Sequence, residues 1–283
     1  MTDIENIEKL LKKKQKVVAM LAPSFVVQFD YPQVVGQIKK LGFTKVVELT
    51  FGAKMTNINY QKVIKSDKSK TWIASPCPTI VQVIRNNYPH LVENLIPVHS
   101  PMGSMAQICK KFYPDYKIVF IGPCITKKIE AKDIGIEAAI TFKELEELFI
   151  CHEITAKRLS KKTFEKFYND YTKIYPIAGG LSQTLHYKNI LTEKQVLTED
   201  RLDKVLKILN GFKDGKYKNY LFLDVLSCAG GCIGGPGISS PLSLKERADK
   251  VTKYRDYARN SERDLGRQGK IVHVKGVDFT RSY

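Results

Sequence analysis

Short runs rich in β-branched and other apolar residues recur along this chain, and segments with helical periodicity lie between them. Lys16–Leu21, Lys45–Leu49, Thr71–Ala74, Lys117–Ile121 and Leu221–Leu226 are continuous rather than alternating in hydrophobicity, the pattern of strands buried on both faces. Such strands belong to parallel sheets covered by helices, joined through right-handed crossovers. The expected fold is therefore α/β, with two lobes of mostly parallel sheet flanked by helices. Helix punctuation agrees. Pro32 opens a helix that runs to Leu41, and Gly42 stands where a left-handed residue would close it. Thr141 with Glu144 forms a capping box for a helix ending near Phe149, and Ser243 with Glu246 starts another that reaches Tyr257. Between about His152 and Gly215 the pattern is too irregular to place elements, apart from a turn at Tyr175-Pro-Ile-Ala-Gly-Gly180. The expected organisation is a polar N-terminal extension over residues 1–15, a main domain over 16–240, and a C-terminal helix with a loose basic tail over 241–283.

A chain of 283 residues, 43% of them hydrophobic, can bury a substantial core without disulfides. Its charged start lacks the apolar region of a secretory signal and no later stretch reaches membrane-spanning length, so a cytoplasmic protein is expected. The net charge of +17 would attract polyanions. The lysines are scattered, however, over presumed helix faces such as Lys39/Lys40 and Lys110/Lys111, and no nucleic-acid motif accompanies them. Neither nucleic acid nor membrane is expected as a partner; an acidic redox or signalling protein would be steered by such a field.

Six cysteines in a reducing compartment point to thiols that bind metal or lie buried. Three segments share one layout, a buried strand followed at once by a small or proline residue and a cysteine. They are Ala74-Ser-Pro-Cys77-Pro78, Gly122-Pro-Cys124, and Leu226-Ser-Cys228. Parallel strands point their carboxyl ends to one edge, where open α/β sheets bind ligands, so the three can converge. Cys228 and Cys232 are four apart, and a helical turn would put both sulfurs on one face, with glycines between them allowing close backbone approach. Four converging thiolates fit a [4Fe–4S] cubane. Structural zinc is the other metal reading, although zinc sites usually carry two short cysteine pairs and here there is one. Inert buried thiols are the bland reading. Cys109 and Cys151, in helix-like contexts, are read as core residues.

The three segments, in this order and with these neighbours, resemble the signature motifs of the iron-iron hydrogenases over roughly Lys16 to Gly237. Family members carry Thr-Ser-Cys-Cys-Pro, then Met-Pro-Cys-x-x-Lys-Lys-x-Glu, then Glu-x-Met-x-Cys-x-x-x-Cys. This chain has Ala74-Ser-Pro-Cys77-Pro78, then Gly122-Pro-Cys124-Ile-Thr-Lys127-Lys128-Ile-Glu130, then Asp224-Val-Leu-Ser-Cys228-Ala-Gly-Gly-Cys232. The resemblance implies that Cys77, Cys124, Cys228 and Cys232 hold a [4Fe–4S] cluster between the two lobes. It further implies that Cys232 bridges to a diiron subcluster with CO and cyanide ligands, the whole being the H-cluster. Lys127 matches the family lysine that hydrogen-bonds a cyanide, and Ser100-Pro101-Met102 resembles the segment bordering the diiron pocket, with Met102 and Met105 as candidate lining residues. Molecular hydrogen and protons would be the substrates.

Departures accompany the matches. The first cysteine of the family's Cys-Cys pair passes protons to the diiron site, and here that position is Pro76, which has no exchangeable hydrogen. Where the family carries its proton-path carboxylates, this chain reads Ala53-Lys-Met-Thr-Asn57-Ile-Asn59-Tyr60, with no glutamate. Gly122 and Leu226 replace the methionines of the second and third motifs. These traits resemble the sensory branch of the family. The expected activity is slow hydrogen oxidation and proton reduction, or hydrogen or redox sensing, with a ferredoxin-like or signalling partner supplied by another chain. The alternatives are a non-catalytic [4Fe–4S] protein acting in electron transfer or signalling, and a degenerate scaffold without metal.

Overall fold

The computed structural model describes residues 2–156, 162–165, 169–186, 190–212, 214–261 and 268–283. Two parallel sheets organise them. In chain order the first half runs α1 (Asp3–Lys12), β1 (Val17–Leu21), α2 (Gln33–Lys40), β2 (Lys45–Glu48), α3 (Thr50–Ser66), β3 (Trp72–Ile73), α4 (Pro78–Asn87), α5 (Pro101–Phe112) and β4 (Lys117–Gly122). The second half runs α6 (Lys127–Asp133), β5 (Ala138–Thr141), α7 (Phe142–Cys151), α8 (Gly180–Leu185), β6 (Val196–Glu199), α9 (Leu202–Asn210), β7 (Phe222–Val225) and α10 (Leu244–Ser261). One sheet has the order β2-β1-β4-β5, the other β3-β7-β6, and every pairing is parallel. All five residues of β1 are buried, because helices cover both faces of its sheet and Val17 to Leu21 offer no polar side chain to water.

All five strands expected from the sequence form, within a residue or two of the expected ends. Two more, β5 and β6, were not legible. Ala138-Ala-Ile-Thr141 is short and lacks a β-branched run, and β6 is a half-exposed edge strand in the irregular stretch. The helix punctuation holds where it was read: Thr141 and Glu144 make a reciprocal capping box, Gly42 adopts φ +113°, and Ser243 Oγ accepts from the Glu246 N–H at 3.3 Å.

The two ends of the chain differ from expectation. Residues 3–12 form an amphipathic helix, capped by Thr2 and Glu5, whose Ile7 and Leu10 enter the core against β5. The C-terminal residues, expected as a loose tail, are docked. Phe279 and Val274 are buried, Val98 and Thr280 pair in an antiparallel bridge, and the Arg281 N–H donates to the Pro97 carbonyl at 3.1 Å. Isolated apolar residues among basic ones gave no periodic signal, so only tertiary contact reveals them.

One buried ion pair ties the first sheet to α10. Lys173 and Glu48 are both fully enclosed, with Nζ 2.6 Å from Glu48 Oε2, and the Tyr254 and Thr50 hydroxyls donate to the same carboxylate at 2.8 and 3.0 Å. Removing one member of such a pair strands the other charge in a dry interior. Lys173→Met should therefore cost about 3–5 kcal/mol of stability, measured as a shift in urea midpoint at constant slope; a loss below about 1 kcal/mol would mean that the hydroxyl donors alone satisfy Glu48.

Candidate metal centre

The four candidate cysteines sit where strands from both sheets end. Cys77 follows β3 and caps α4, with Pro78 at the first helical position. Ser75 fixes that exit: its Oγ donates to the Ile96 carbonyl at 2.7 Å and its N–H donates to the Tyr60 hydroxyl at 2.8 Å. Cys124 follows β4, and Cys228 follows β7. Small hydroxyl residues stitch the segments together, with Ser227 Oγ 3.3 Å from Cys77 Sγ and 3.8 Å from Cys228 Sγ. Thr126 Oγ1 is 3.0 Å from Cys124 Sγ and 2.9 Å from Thr79 Oγ1 at the start of α4.

Cys228 and Cys232 are not joined by the helical turn that their spacing suggested. Gly230 and Gly231 take φ of +73° and +85°, and the Gly231 N–H closes a turn onto the Cys228 carbonyl at 3.0 Å. Two successive left-handed residues interrupt a helix, and only glycine adopts them cheaply. The same loop lies against the Cys124 segment, where the Gly237 N–H donates to the Pro123 carbonyl at 2.9 Å and a Cβ on Gly235 would stand 2.5 Å from that oxygen.

The thiols share one electrostatic neighbourhood. Burial pushes the Cys232 thiol well up, and Cys124, Cys77 and Cys228 add to it. Burial also raises Cys228, against a hydrogen bond from Ser227, with further upward pressure from Cys77 and Cys124. Ionising Cys228 and Cys232 is therefore unfavourable unless a cationic partner shares the charge, which is what metal binding supplies. Among the described residues, no three His, Cys, Asp or Glu side chains close on a single ion. A cubane asks for less, since each thiolate binds a different iron. The remaining cysteines separate: Cys109 is enclosed in the core as expected, whereas Cys151, at the last position of α7, is exposed and so is not a core residue.

Beside Cys124 and Cys232 opens a cavity of about 80 Å³, walled by apolar groups that include Pro76, Pro101, Met102, Phe120 and Leu226. Its other polar side chains are Ser24, Lys127 and Tyr175. Met102 lines the cavity as expected, while Met105 is buried in the core and Ser100 stands one layer behind, accepting from Lys127. Lys127 is only 9% exposed, so it is a buried lysine at the cavity wall and not a solvated surface one. Its ammonium donates to the Pro76 carbonyl and Ser100 Oγ at 3.1 Å each and to Glu130 Oε2 at 2.5 Å, so all three N–H bonds are engaged.

Sequence reasoning missed what holds Lys127. Glu130 is buried at one turn's spacing on α6, and its other oxygen accepts from Ser100 at 2.5 Å and from Arg281 at 2.8 Å. Arg281 reaches on to Asp133 at 3.0 Å. Burial alone would raise the Glu130 carboxyl; the charges of Lys127 and Arg281, with hydrogen bonds from Lys127 and Ser100, outweigh it and hold the group below its ordinary value. Glu130 was visible as the last letter of the second motif, but nothing in the basic tail marked Arg281. Two further hydroxyls, Ser24 Oγ and Tyr175 OH, are buried at the cavity without a hydrogen-bond partner among the described residues. Four thiols, unpartnered donors and an apolar enclosure fit an inorganic cluster with acceptor ligands better than they fit a closed core.

A pair of parallel sheets presenting thiols at a shared edge defines an α/β protein of the iron–sulfur kind. The family model for the iron only hydrogenase large subunit, C-terminal domain, matches residues 15–236, and the chain belongs to that family. It is 28% identical over 253 residues to iron hydrogenase 1 of Clostridium pasteurianum, covering 71% of this chain and 44% of that protein. Over 210 residues it is 26% identical to the cytosolic Fe-S cluster assembly factor NAR1 of Encephalitozoon cuniculi, covering 66% of this chain and 56% of that one. The chain thus spans about half the length of these relatives. A variant of the [FeFe]-hydrogenase HydA1 from Chlamydomonas reinhardtii superposes with a TM-score of 0.74 at 16% identity, over 100% of this chain and 99% of that one. No described helix is long and apolar enough to cross a membrane.

The Glu130 network predicts a pH signature. A carboxyl held below its unfolded value of 4.5 contributes stability that is complete above that value and is lost as pH falls through the folded one. At pH 7, Glu130→Gln should be less stable than wild type by about 3–5 kcal/mol, since it leaves Lys127 and Arg281 without their anion. The gap should narrow below about pH 4.5, because only the wild type loses this contribution. Unfolding of both proteins at matched iron content across that range checks it; a gap independent of pH would show that Glu130 is not ionised in the fold.

Proposed function

We propose that this chain is an iron–sulfur protein that holds a [4Fe–4S] cluster on Cys77, Cys124, Cys228 and Cys232 and a diiron subcluster with CO and cyanide ligands in the adjoining cavity. Its activity is slow hydrogen oxidation and proton reduction, or sensing of hydrogen or redox state. The observation that carries this reading is that the apolar cavity begins at Cys232 and Cys124, so a second metal unit sharing Cys232 would be enclosed rather than exposed. When bound, the diiron group supplies the redox chemistry of the hydrogen bond, which side chains cannot.

The protein's own residues supply ligation, enclosure and charge. Lys127 and Arg281 flank the Glu130 anion, and Arg281 also pairs with Asp133, so the charges of the network balance. What faces the cavity is the Lys127 ammonium, which favours an anionic occupant. Of the three acceptors on Lys127, the neutral Pro76 carbonyl is the one most cheaply exchanged for a ligand. Proton delivery is the weak point. Pro76 lines the cavity where a thiol would be needed, Asn57 Nδ2 donates to Thr184 Oγ1 at 2.9 Å, and Asn59 Nδ2 donates to the Met55 carbonyl at 2.8 Å. Neither amide is a proton carrier, which favours slow turnover or sensing over fast catalysis. The net charge of +17 would draw an acidic redox or signalling partner.

The second reading is a [4Fe–4S] protein without the diiron unit, in electron transfer or signalling; the similarity to an iron–sulfur assembly factor and the proline at position 76 favour it. Infrared spectra of anaerobic protein, coexpressed with diiron maturation proteins, decide between them. Bands in the CO and cyanide stretching region are expected; four irons per chain without such bands would leave the cubane alone. In either case Cys228→Ser should lose most of the bound iron and unfold at lower temperature, because cluster binding is coupled to folding. Full iron retention in that variant would remove Cys228 from the ligand set.

A further inference from the structure

We infer that the Tyr175 hydroxyl is a hydrogen-bond donor to a CO or cyanide ligand of the diiron unit, an assignment that rests on the cavity occupant proposed above. Tyr175 is 9% exposed, lines the cavity with Cys124, Cys232 and Lys127, and its hydroxyl has no hydrogen-bond partner among the described residues. A buried hydroxyl left unpaired is unfavourable, and native interiors rarely keep one without a reason. The cavity wall is otherwise largely apolar, rich in proline, methionine and leucine, so an acceptor brought by the cavity's occupant would supply the partner this hydroxyl lacks. Lys127 can reach such a ligand only by giving up one of its acceptors, Pro76, Ser100 or Glu130, whereas the Tyr175 hydroxyl has none to give up among the described residues.

The backbone that carries Tyr175 is tied to the loop that carries Cys232. The Ala178 N–H donates to the Gly230 carbonyl at 2.9 Å, the Ile233 N–H to the Pro176 carbonyl at 3.3 Å, and Ile177 and Gly231 form an antiparallel bridge. A Cβ on Gly231 would stand 2.6 Å from the Ala178 nitrogen and 2.7 Å from the Pro176 oxygen, so glycine is what lets the two segments meet. The backbone under Tyr175 is therefore tied to the backbone that carries the sulfur that would join the two metal units. Pre-positioned donors cost little reorganisation when a ligand arrives. A competing partner is the Asp224 carboxyl, buried nearby with its Oδ1 also unpaired among the described residues and its Oδ2 accepting from the Ser182 N–H and Oγ–H at 3.0 and 2.7 Å. A water bridging Tyr175 to Asp224 would satisfy both without any cavity ligand.

Tyr175→Phe in the full chain separates these cases, since it deletes one oxygen and keeps the ring. Two preparations are compared with wild type, one holding only the four-iron cluster and one also loaded by the maturation proteins. In the loaded protein at least one CO or cyanide band should move, with iron content unchanged and a lower unfolding temperature. In the protein with the four-iron cluster alone, the variant should unfold at the same temperature as wild type or higher, because an unpaired hydroxyl has been removed. Bands that coincide in wild type and variant at equal loading would overturn the assignment. So would an equal drop in unfolding temperature in both preparations, which would place the hydroxyl's partner on the protein or a bound water. Absence of CO and cyanide bands from the loaded wild type itself would overturn the diiron reading, and this assignment with it.

Discussion

Four thiols gathered at one sheet edge must lose their protons to bind metal, and the surrounding backbone has to hold the resulting charges together until iron compensates. Here the holding is done by strand ends. Cys77 and Cys228 leave adjacent strands of one sheet, Cys124 leaves the other, and Ser227, Thr126 and Thr79 bridge the gaps between them with short hydroxyl contacts. The glycine loop then brings Cys232 in beside Cys124 through turns that no other residue would adopt without strain. Sheet topology, loop composition and thiol chemistry are thus one constraint seen at three scales.

The same edge carries a second, polar layer. Lys127, Glu130, Ser100 and Arg281 form a buried network in which each donor has an acceptor, and the C-terminal segment contributes one member from 151 residues away. Networks of this kind are stabilising only when complete, since a half-satisfied one strands a charge. That explains why the last residues are docked rather than loose: without Arg281, Glu130 would face a single cation and Lys127 would be less firmly placed at the cavity wall. The buried pair of Lys173 and Glu48 plays a separate part, anchoring α10 to the first sheet.

Function follows from what the cavity offers and what it withholds. Its walls are largely apolar, its thiols offer ligation, and the Lys127 ammonium stands at its wall, which together suit a metal unit with anionic ligands. What is withheld is a carboxylate or thiol proton path, since position 76 is proline and residues 53–60 contain no carboxylate. That absence is why slow chemistry or sensing is proposed for the site.

Much of this was legible in the residues alone. Continuous apolar runs gave five of the seven strands of the described residues, capping boxes and Gly42 gave helix ends, and the position of three of the cysteines soon after a strand pointed to a sheet edge as the candidate site, because strand direction is a local property that side-chain patterning reports. The strands β5 and β6 were not legible, since one is too short and the other too exposed for burial to leave a pattern. Cys151 looked like a core residue because its neighbours are apolar, but it is the last residue of its helix and falls on the outer face. Arg281, Tyr175 and Ser24 carried no signal at all. A residue's partner across the fold depends on how distant segments dock, and docking depends on shape and charge summed over many residues; the sequence by itself determined which thiols and which strands exist, while only the tertiary structure decided which carboxylate, which guanidinium and which hydroxyl would meet them.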